Sequence, residues 1–530
     1  MSTLTGTRHL VRLVLRRDRF LLPLWVLLLA VLPVSYAASF FELFPTAAER
    51  AAYTEGTARN PSIVALLGPV YGDSVGALTA QRSGFLLVIV ALASLLTVIR
   101  HTRTEEEAGR RELLGGSVLG RHAGLTAALL VTYAADVVLG LLTAAGLHAT
   151  GLPAAGSYAY GLVAALTGMV FATLGGLAAQ LTGSAGGARG IGVAGLGAAF
   201  GLRLIGDTAG NDWPSWLSPL GWAARVRAYE GERWWVPLLP LAATVLLAAL
   251  AYPISVRRDL GAGVLPPRFG PADAGGALSG PFGLAWRLHR GQLMWWSVGF
   301  GLLGLILGGA AEAAGRSVQG NAQLEQIMAR IGGASGLADA YLGATLSVAG
   351  LAATGYGIQA ALRMRAEESA GRAEPVLATA THRSTWLLSH VTFALLGPVV
   401  VLTVTGLATG LTYGLSVGDV PRQMGRMLGA ALAQTPAAWV LAGLAVLLYA
   451  LLPRQASAAW AVLAACVLLG QLGAVLDLNQ WLLDLSPFTH TPQTLRPTWT
   501  VTPLLLLTAL AVTLAAAGLL TFRRRDIPVP

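Results

Sequence analysis

The sequence predicts an all-α polytopic membrane protein, with about twelve transmembrane helices in two pseudo-symmetric six-helix halves. Three observations carry that expectation. Only 12% of the 530 residues are charged and 55% are hydrophobic, whereas a soluble chain of this length would carry roughly a quarter charged residues on its surface. The charges cluster between apolar stretches of about 17–25 residues, the length at which a helix crosses the hydrocarbon of a bilayer. A charged octapeptide also recurs at matching positions in the two halves.

The apolar stretches place spans near 20–41, 84–100, 125–147, 158–181, 191–206 and 236–255 in a first half. A second set falls near 293–311, 344–362, 387–411, 432–452, 457–475 and 501–522. The halves are residues 1–256 and 287–530. Between them, 257–286 is rich in Gly and Pro (Pro266, Pro267, Gly270, Pro271, Pro281) and reads as a cytoplasmic linker. Ser35-Tyr36-Ala37 resembles a cleavage site, but the apolar run before it is long and has a counterpart near 293–311, so it reads as a retained span.

Arginine asymmetry orients the chain. If the N-terminus is cytoplasmic, 24 of the 36 basic residues fall in inside segments and 11 in outside loops, which puts both termini inside. The same distribution accounts for the net charge of +10 without nucleic acid. The single cysteine, Cys466, lies in an apolar segment, so the chain has no disulfide framework and no cysteine-based metal site.

The repeat is the most informative feature. EEEAGRRE at 105–112 matches EESAGRAE at 367–374, an offset of 262 that also pairs Arg121 with Arg383. Ser218-Pro219 precedes the sixth span and Ser486-Pro487 the twelfth, and these spans end in Arg257-Arg258-Asp259 and Arg524-Arg525-Asp526. Both copies of each motif fall on one side of the membrane, as in parallel repeats related by an axis along the membrane normal. Glu106→Arg110, Glu107→Arg111 and Glu368→Arg372 have i,i+4 spacing in the favourable order and predict a short charged helix. Such a helix, kept twice at the cytoplasmic surface, suits the receipt of force from a soluble motor.

Other segments leave two readings open. Residues 8–19 interleave arginine with Leu10, Val11, Leu13, Val14 and Leu15, as in an interfacial amphipathic helix or a plain topology anchor, and 284–292 occupies the matching place. The aromatic stretch 212–235 and its counterpart 477–499 read as short interfacial or re-entrant helices, closing an exit or anchoring the fold. Within the spans, Asp136 and Arg203 are the deep ionisable residues and hence the candidates for a substrate pathway, with His390 near a span end.

No catalytic constellation emerges. His122, His148, His289 and His490 are scattered over both faces, and no nucleophile elbow or H-E-x-x-H run is present. The chain contains no lysine, and a Walker A loop needs its lysine on the phosphates, so this chain cannot supply that ATP site.

Together, RTEEEAGRRELLGGSVLGRHAGL (103–125), NPSIVALLGPVYG (60–72), SPLGWAARVRAYEGERWWVPLLPLA (218–242) and RRDLGAG (257–263) resemble the ABC-2-type permeases of bacterial ABC transporters. The resemblance is to the exporters of polyketide antibiotics, which include tetronasin-type efflux permeases, and it covers essentially the whole chain. It implies a type V, ABC-2 exporter-like fold in the bacterial cytoplasmic membrane, a fused dimer of six-span modules. Two copies of a separately encoded ABC ATPase would bind ATP and Mg, with no cofactor in this chain. The resemblance further implies that Glu105, Glu106, Gly109, Arg110 and Glu112, with Glu367, Glu368, Gly371, Arg372 and Glu374, form two coupling helices that contact the ATPase. Ser369 and Ala373 stand where the first copy has Glu107 and Arg111, so the second docking surface is expected to be weaker. The implied substrates are hydrophobic or amphipathic compounds such as antibiotics. The alternative is a proton-driven twelve-span secondary transporter, which would want clustered membrane acids. A membrane enzyme would want His, Asp or Glu gathered on one face. Neither pattern is present.

Overall fold

A computed structural model describes residues 3–59, 61–110, 119–208, 212–259, 261–265, 273, 275–316, 333–472, 479–491 and 501–526. The chain divides into two compact units, Met1–Gly270 and Pro271–Pro530. Both are helical, and no strand occurs among the described residues.

The long helices of the first unit are α1 (Thr7–Arg17), α2 (Leu21–Leu43), α3 (Gly84–His101), α4 (Ala123–Ala149), α5 (Ala154–Leu181), α6 (Ala185–Thr208) and α7 (Leu238–Arg257). Helix α5 is the most enclosed of them and touches α3, α4, α6 and α7. Its small residues allow this. Gly161 meets Gly140 of α4 so closely that a Cβ on either would collide with the other's backbone carbonyl, a contact of the small-residue kind that joins helices in lipid.

The second unit contains α8 (Pro281–Arg316), α9 (Gly333–Ser369), α10 (Arg383–Val417), α11 (Thr435–Leu451), α12 (Ala458–Leu472) and α13 (Thr502–Arg524). Four helix pairs in each unit correspond in their contacts. In the first unit α2 packs on α4, α3 on α5, α5 on α6 and α5 on α7. In the second, α8 packs on α10, α9 on α11, α11 on α12 and α11 on α13.

Among the described residues, ten helices are long and apolar enough to cross a membrane. They are α2 to α8, α10, the stretch Val420–Leu451 that contains α11, and α13. Two predicted spans are missing from that set. The span near 344–362 lies in α9, which is long but diluted by Gly343, Thr345, Ser347 and Thr354. The span near 457–475 is α12, whose apolar part Ala458–Gly470 is shorter than the ~20 residues a bilayer requires.

One local expectation is corrected. Residues 284–292 form no separate interfacial helix, because α8 runs without a break from Pro281. In the first unit Asp18 does end α1 before α2 begins. At the start of the predicted linker, Val264 N–H donates to Gln180 O and Leu265 N–H to Leu181 O, at 3.3 and 2.8 Å. Pro266, Pro267, Gly270 and Pro271 lie outside the described residues.

Candidate functional site

The duplicated acidic segment forms a charged elbow in each unit. In the first, α3 breaks at Thr102 and a short helix, Arg103–Glu107, follows. It stops at Gly109, where φ is +68°, a left-handed value that glycine adopts without a steric cost. In the second unit α9 runs straight to Ser369 and stops at Gly371, again with φ +68°. Gly371 N–H donates to Glu368 O and Arg372 N–H to Glu367 O, the paired bonds of a Schellman C-cap. The equivalent Gly109 N–H to Glu106 O bond is present at 3.0 Å.

These glycine stops overturn the predicted Glu106–Arg110 and Glu368–Arg372 pairs, because the helix ends before they can form; Arg111, the predicted partner of Glu107, lies outside the described residues. Arg110 instead folds back on Glu105, with Nε donating to Oε2 at 2.7 Å, and Arg372 does the same to Glu367 Oε2 at 2.8 Å. Burial alone would push the Glu367 carboxyl up, but the Arg372 hydrogen bond and the Arg363 charge outweigh it and hold it below the usual range.

The second glutamate of each copy points inward. Glu106 is buried between Arg103, whose Nη1 is 2.5 Å from Oε2, and Arg258, whose Nη2 donates to Oε1 at 2.8 Å. Arg258 Nε also donates to Gln180 Oε1 at 2.7 Å, at the end of α5. In the second unit Glu368 Oε1 accepts from Arg525, and Oε2 accepts from Tyr449 Oη at 2.6 Å. Arg525 Nη1 reaches the Tyr449 carbonyl at 2.8 Å, near the end of α11. The two repeated motifs, acidic elbow and terminal Arg-Arg-Asp, therefore make one clamp per unit. It joins the elbow to the last helix and to α5 or α11. Another contact recurs as well: Arg103 donates to the carbonyls of Thr182 and Ala262, and Arg365, at the matching repeat position, donates to Arg454 O.

The predicted docking residues thus divide by exposure. Glu106 and Glu367 are buried, and Glu105 and Glu368 are half-buried, all four held in ion pairs. Arg110, Arg372 and Glu374 are exposed, with Gly109 and Gly371 beside them. Glu112, with Arg111, lies outside the described residues. The N-terminal helix joins this site in the first unit: Arg17 Nη1 lies 2.5 Å from Glu105, and Asp18 binds His101 Nε2 at 2.6 Å and Arg100 at 3.0 Å.

The two pathway candidates are not brought together. Asp136 is fully buried on α4, accepts from Ser94 Oγ of α3 at 2.6 Å, and faces Gly168 of α5. Its other oxygen has no hydrogen-bond partner among the described residues. Arg203 on α6 donates to Leu66 O at 2.9 Å and lies 3.3 Å from Asp207, which also accepts from Arg225 at 3.0 Å and Ser215 at 2.8 Å.

Sequence reasoning missed one buried pair, His289 and His390, whose Nε2 and Nδ1 are 3.0 Å apart. Only the helical continuation of α8 through 289 could have shown it, since that places His289 inside the helix packed on α10. Among the described residues no group of three or more His, Cys, Asp or Glu side chains is set to hold a metal ion.

The fold and this site define a multi-pass helical membrane protein with a charged, clamped elbow at one end of each unit's bundle. Comparison with known proteins makes the class specific. The chain is 45% identical over 527 residues to the "Multidrug efflux system permease protein Rv1217c" of Mycobacterium tuberculosis, covering 99% of this chain and 96% of that protein. Residues 278–523 match the family described as "Multidrug efflux system permease Rv1217c, C-terminal domain". The chain belongs to this family of multidrug efflux permeases.

Proposed function

We propose that the chain is the permease subunit of an ATP-driven multidrug exporter of ABC-2 type, with ATP and Mg held by two copies of a separate ABC ATPase. In this reading the protein crosses the bacterial cytoplasmic membrane twelve times in two six-span halves, with both termini and both elbows in the cytoplasm. Helices α9 and α12 supply the two remaining spans, with Thr354 of α9 buried. The single observation that supports it most is the duplicated clamp, in which Glu106–Arg258 and Glu368–Arg525 fix each elbow to the last helix of its own unit.

The geometry suggests how force would pass. The exposed tips, Arg110 with Gly109 and Arg372 with Gly371 and Glu374, meet the ATPase. Glu106 and Glu368 do not touch it; they transmit its motion to α7 and α13 and to the ends of α5 and α11. A buried ion pair is stiff because separating it strands a desolvated charge. The two elbows therefore move as parts of their bundles when the ATPase dimer closes on ATP. Binding needs only the tips, and coupling needs the struts. The substrates in this reading are hydrophobic or amphipathic drugs, in keeping with the multidrug efflux assigned to the relative.

The test is co-purification with the ATPase expressed beside it. Arg110→Glu with Arg372→Glu is expected to release the ATPase while leaving the permease monodisperse. Retention of the ATPase by that double variant at the level of the unsubstituted protein removes the docking assignment.

A further inference from the structure

The first unit contains a cleft at the Gly84 end of α3, the end opposite the elbow. Eighteen residues of helix put about 27 Å between the two. The cleft is partly open, and its enclosed volume is about 50 Å³, room for a few water-sized groups of a larger ligand. Leu67, Leu87, Val163 and Leu220 give it apolar walls, and its polar groups are Tyr71, Gln81, Tyr160, Arg203 and Arg227.

Most of those polar groups are already engaged. Gln81 donates to Ala58 O and Gly68 O at 2.7 and 2.9 Å, Tyr160 Oη to Ser83 O at 3.4 Å, and Arg203 is held by Leu66 O and Asp207. Arg227 differs. Its guanidinium lies 4.7 Å from the centre of the Tyr71 ring and has no hydrogen-bond or carboxylate partner among the described residues. Asp207 answers both Arg203 and Arg225, with Asp212 a more distant second partner of Arg225 at 3.9 Å, and neither carboxylate pairs with Arg227. Glu230 is turned away, accepting from Ser74 Oγ at 2.9 Å.

The backbone holds Arg227 in place at a conformational cost. Arg227 has φ +56° and Tyr229 φ +73°, values that non-glycine residues rarely adopt. The turn is fixed by Arg233 N–H to Val226 O at 2.9 Å, by Tyr229 Oη on Ser157 at 3.0 Å, and by the Tyr229 ring lying where Gly76 and Gly156 lack side chains. Strain held this firmly, next to a cleft and beneath an unpaired cation, is characteristic of ligand sites.

We infer that this cleft binds a compound with one anionic group on an apolar body, the anion seated on Arg227 and the body against the Leu67–Leu220 walls. The inference rests on the permease reading and deepens it by giving the ligand its charge. A free amphipathic carboxylate and an anionic phospholipid share this chemistry.

The probe is 11-(dansylamino)undecanoate, with its methyl ester as the neutral control. Both are titrated by fluorescence against the purified full chain in phosphatidylcholine nanodiscs, without any ATPase. Saturable binding of the carboxylate is expected, weakened about tenfold or more by Arg227→Gln and largely kept by Arg227→Lys, with the ester indifferent to both. Ala223→Phe, which fills the cleft and leaves the charge, is expected to weaken carboxylate and ester alike. It keeps the site testable if Arg227→Gln does not fold. Carboxylate binding unchanged in Arg227→Gln, or unchanged in Ala223→Phe, overturns the assignment, as does a signal from lipid partitioning alone. Displacement of the probe by added phosphatidylglycerol upholds the site as one for a lipid headgroup. Probe binding that phosphatidylglycerol leaves intact upholds it as one for the free amphiphile. Since no ATPase is present, failure of the coupling reading leaves this result standing, and the reverse holds too.

Discussion

Replacing Glu106 by Gln isolates the strut of the first elbow. The Glu106 side chain is 1% exposed, and its partners Arg103 and Arg258 are 0% and 7% exposed. Loss of the carboxylate strands two desolvated guanidinium groups, and breaking a buried pair in this way costs about 3–5 kcal/mol. The equivalent change, Glu368→Gln, meets a wetter site, with 11% exposure of the glutamate and 13% of Arg525. Tyr449 Oη can still donate to the amide oxygen there, so the expected cost falls to about 1–2 kcal/mol. The assay is equilibrium unfolding in mixed micelles, run as a double-mutant cycle of Glu106→Gln with Arg258→Gln. The pair should couple by about 2 kcal/mol or more. In the complex, Glu106→Gln should retain the ATPase yet export less drug per ATP hydrolysed. Additive effects within about 0.5 kcal/mol, or a Glu106→Gln cost below that of Glu368→Gln, would refute the reasoning.

Other outcomes follow from the same geometry. Gly109→Ala meets no neighbouring atom but must hold φ +68°, so it should destabilise by about 1–2 kcal/mol in the same unfolding assay, and Gly109→Asn by less. The Glu367 carboxyl is held low in the folded state, so its ion pairs add stability that is fully present above the unfolded glutamate value of about 4.3 and is lost as pH falls through the lower folded value. Glu367→Gln should accordingly flatten the acid limb of stability, measured between about pH 6 and about pH 3. Cys466 is buried and is the chain's single cysteine, so a thiol-reactive dye reports opening of the second unit. Its labelling on heating should come earlier in Glu368→Gln and stay unchanged in Glu106→Gln.

Helical membrane character was legible because apolar run length and charge clustering are direct consequences of the bilayer as solvent. The repeat was legible because ionic residues stand out in a chain so poor in them. The clamp was not, although both of its halves, Glu106 with Glu368 and Arg258 with Arg525, were visible as separate repeats. A distance of 152 residues separates Glu106 from Arg258, and helix spacing rules reach only four residues along the chain. Those rules also gave the wrong partner to Arg110 and Arg372, because the left-handed turn at Gly109 and Gly371 swings each arginine back onto the preceding carboxylate. Arg203 was recognised as deep, but the unpaired cation of its cleft is Arg227, which a reading of the spans placed in a loop. Among the described residues ten helices have the length and hydropathy of a span, and the other two predicted spans fall at α9 and α12, where polar dilution and shortness weaken an apolar signal.

The most direct measurement is native mass spectrometry of the permease purified with its ATPase, followed by transport in proteoliposomes. One permease carrying two ATPase subunits is expected, with drug export that requires ATP and persists when an uncoupler removes the proton gradient. Export by the permease alone, driven by a proton gradient and abolished by the uncoupler, would contradict the account.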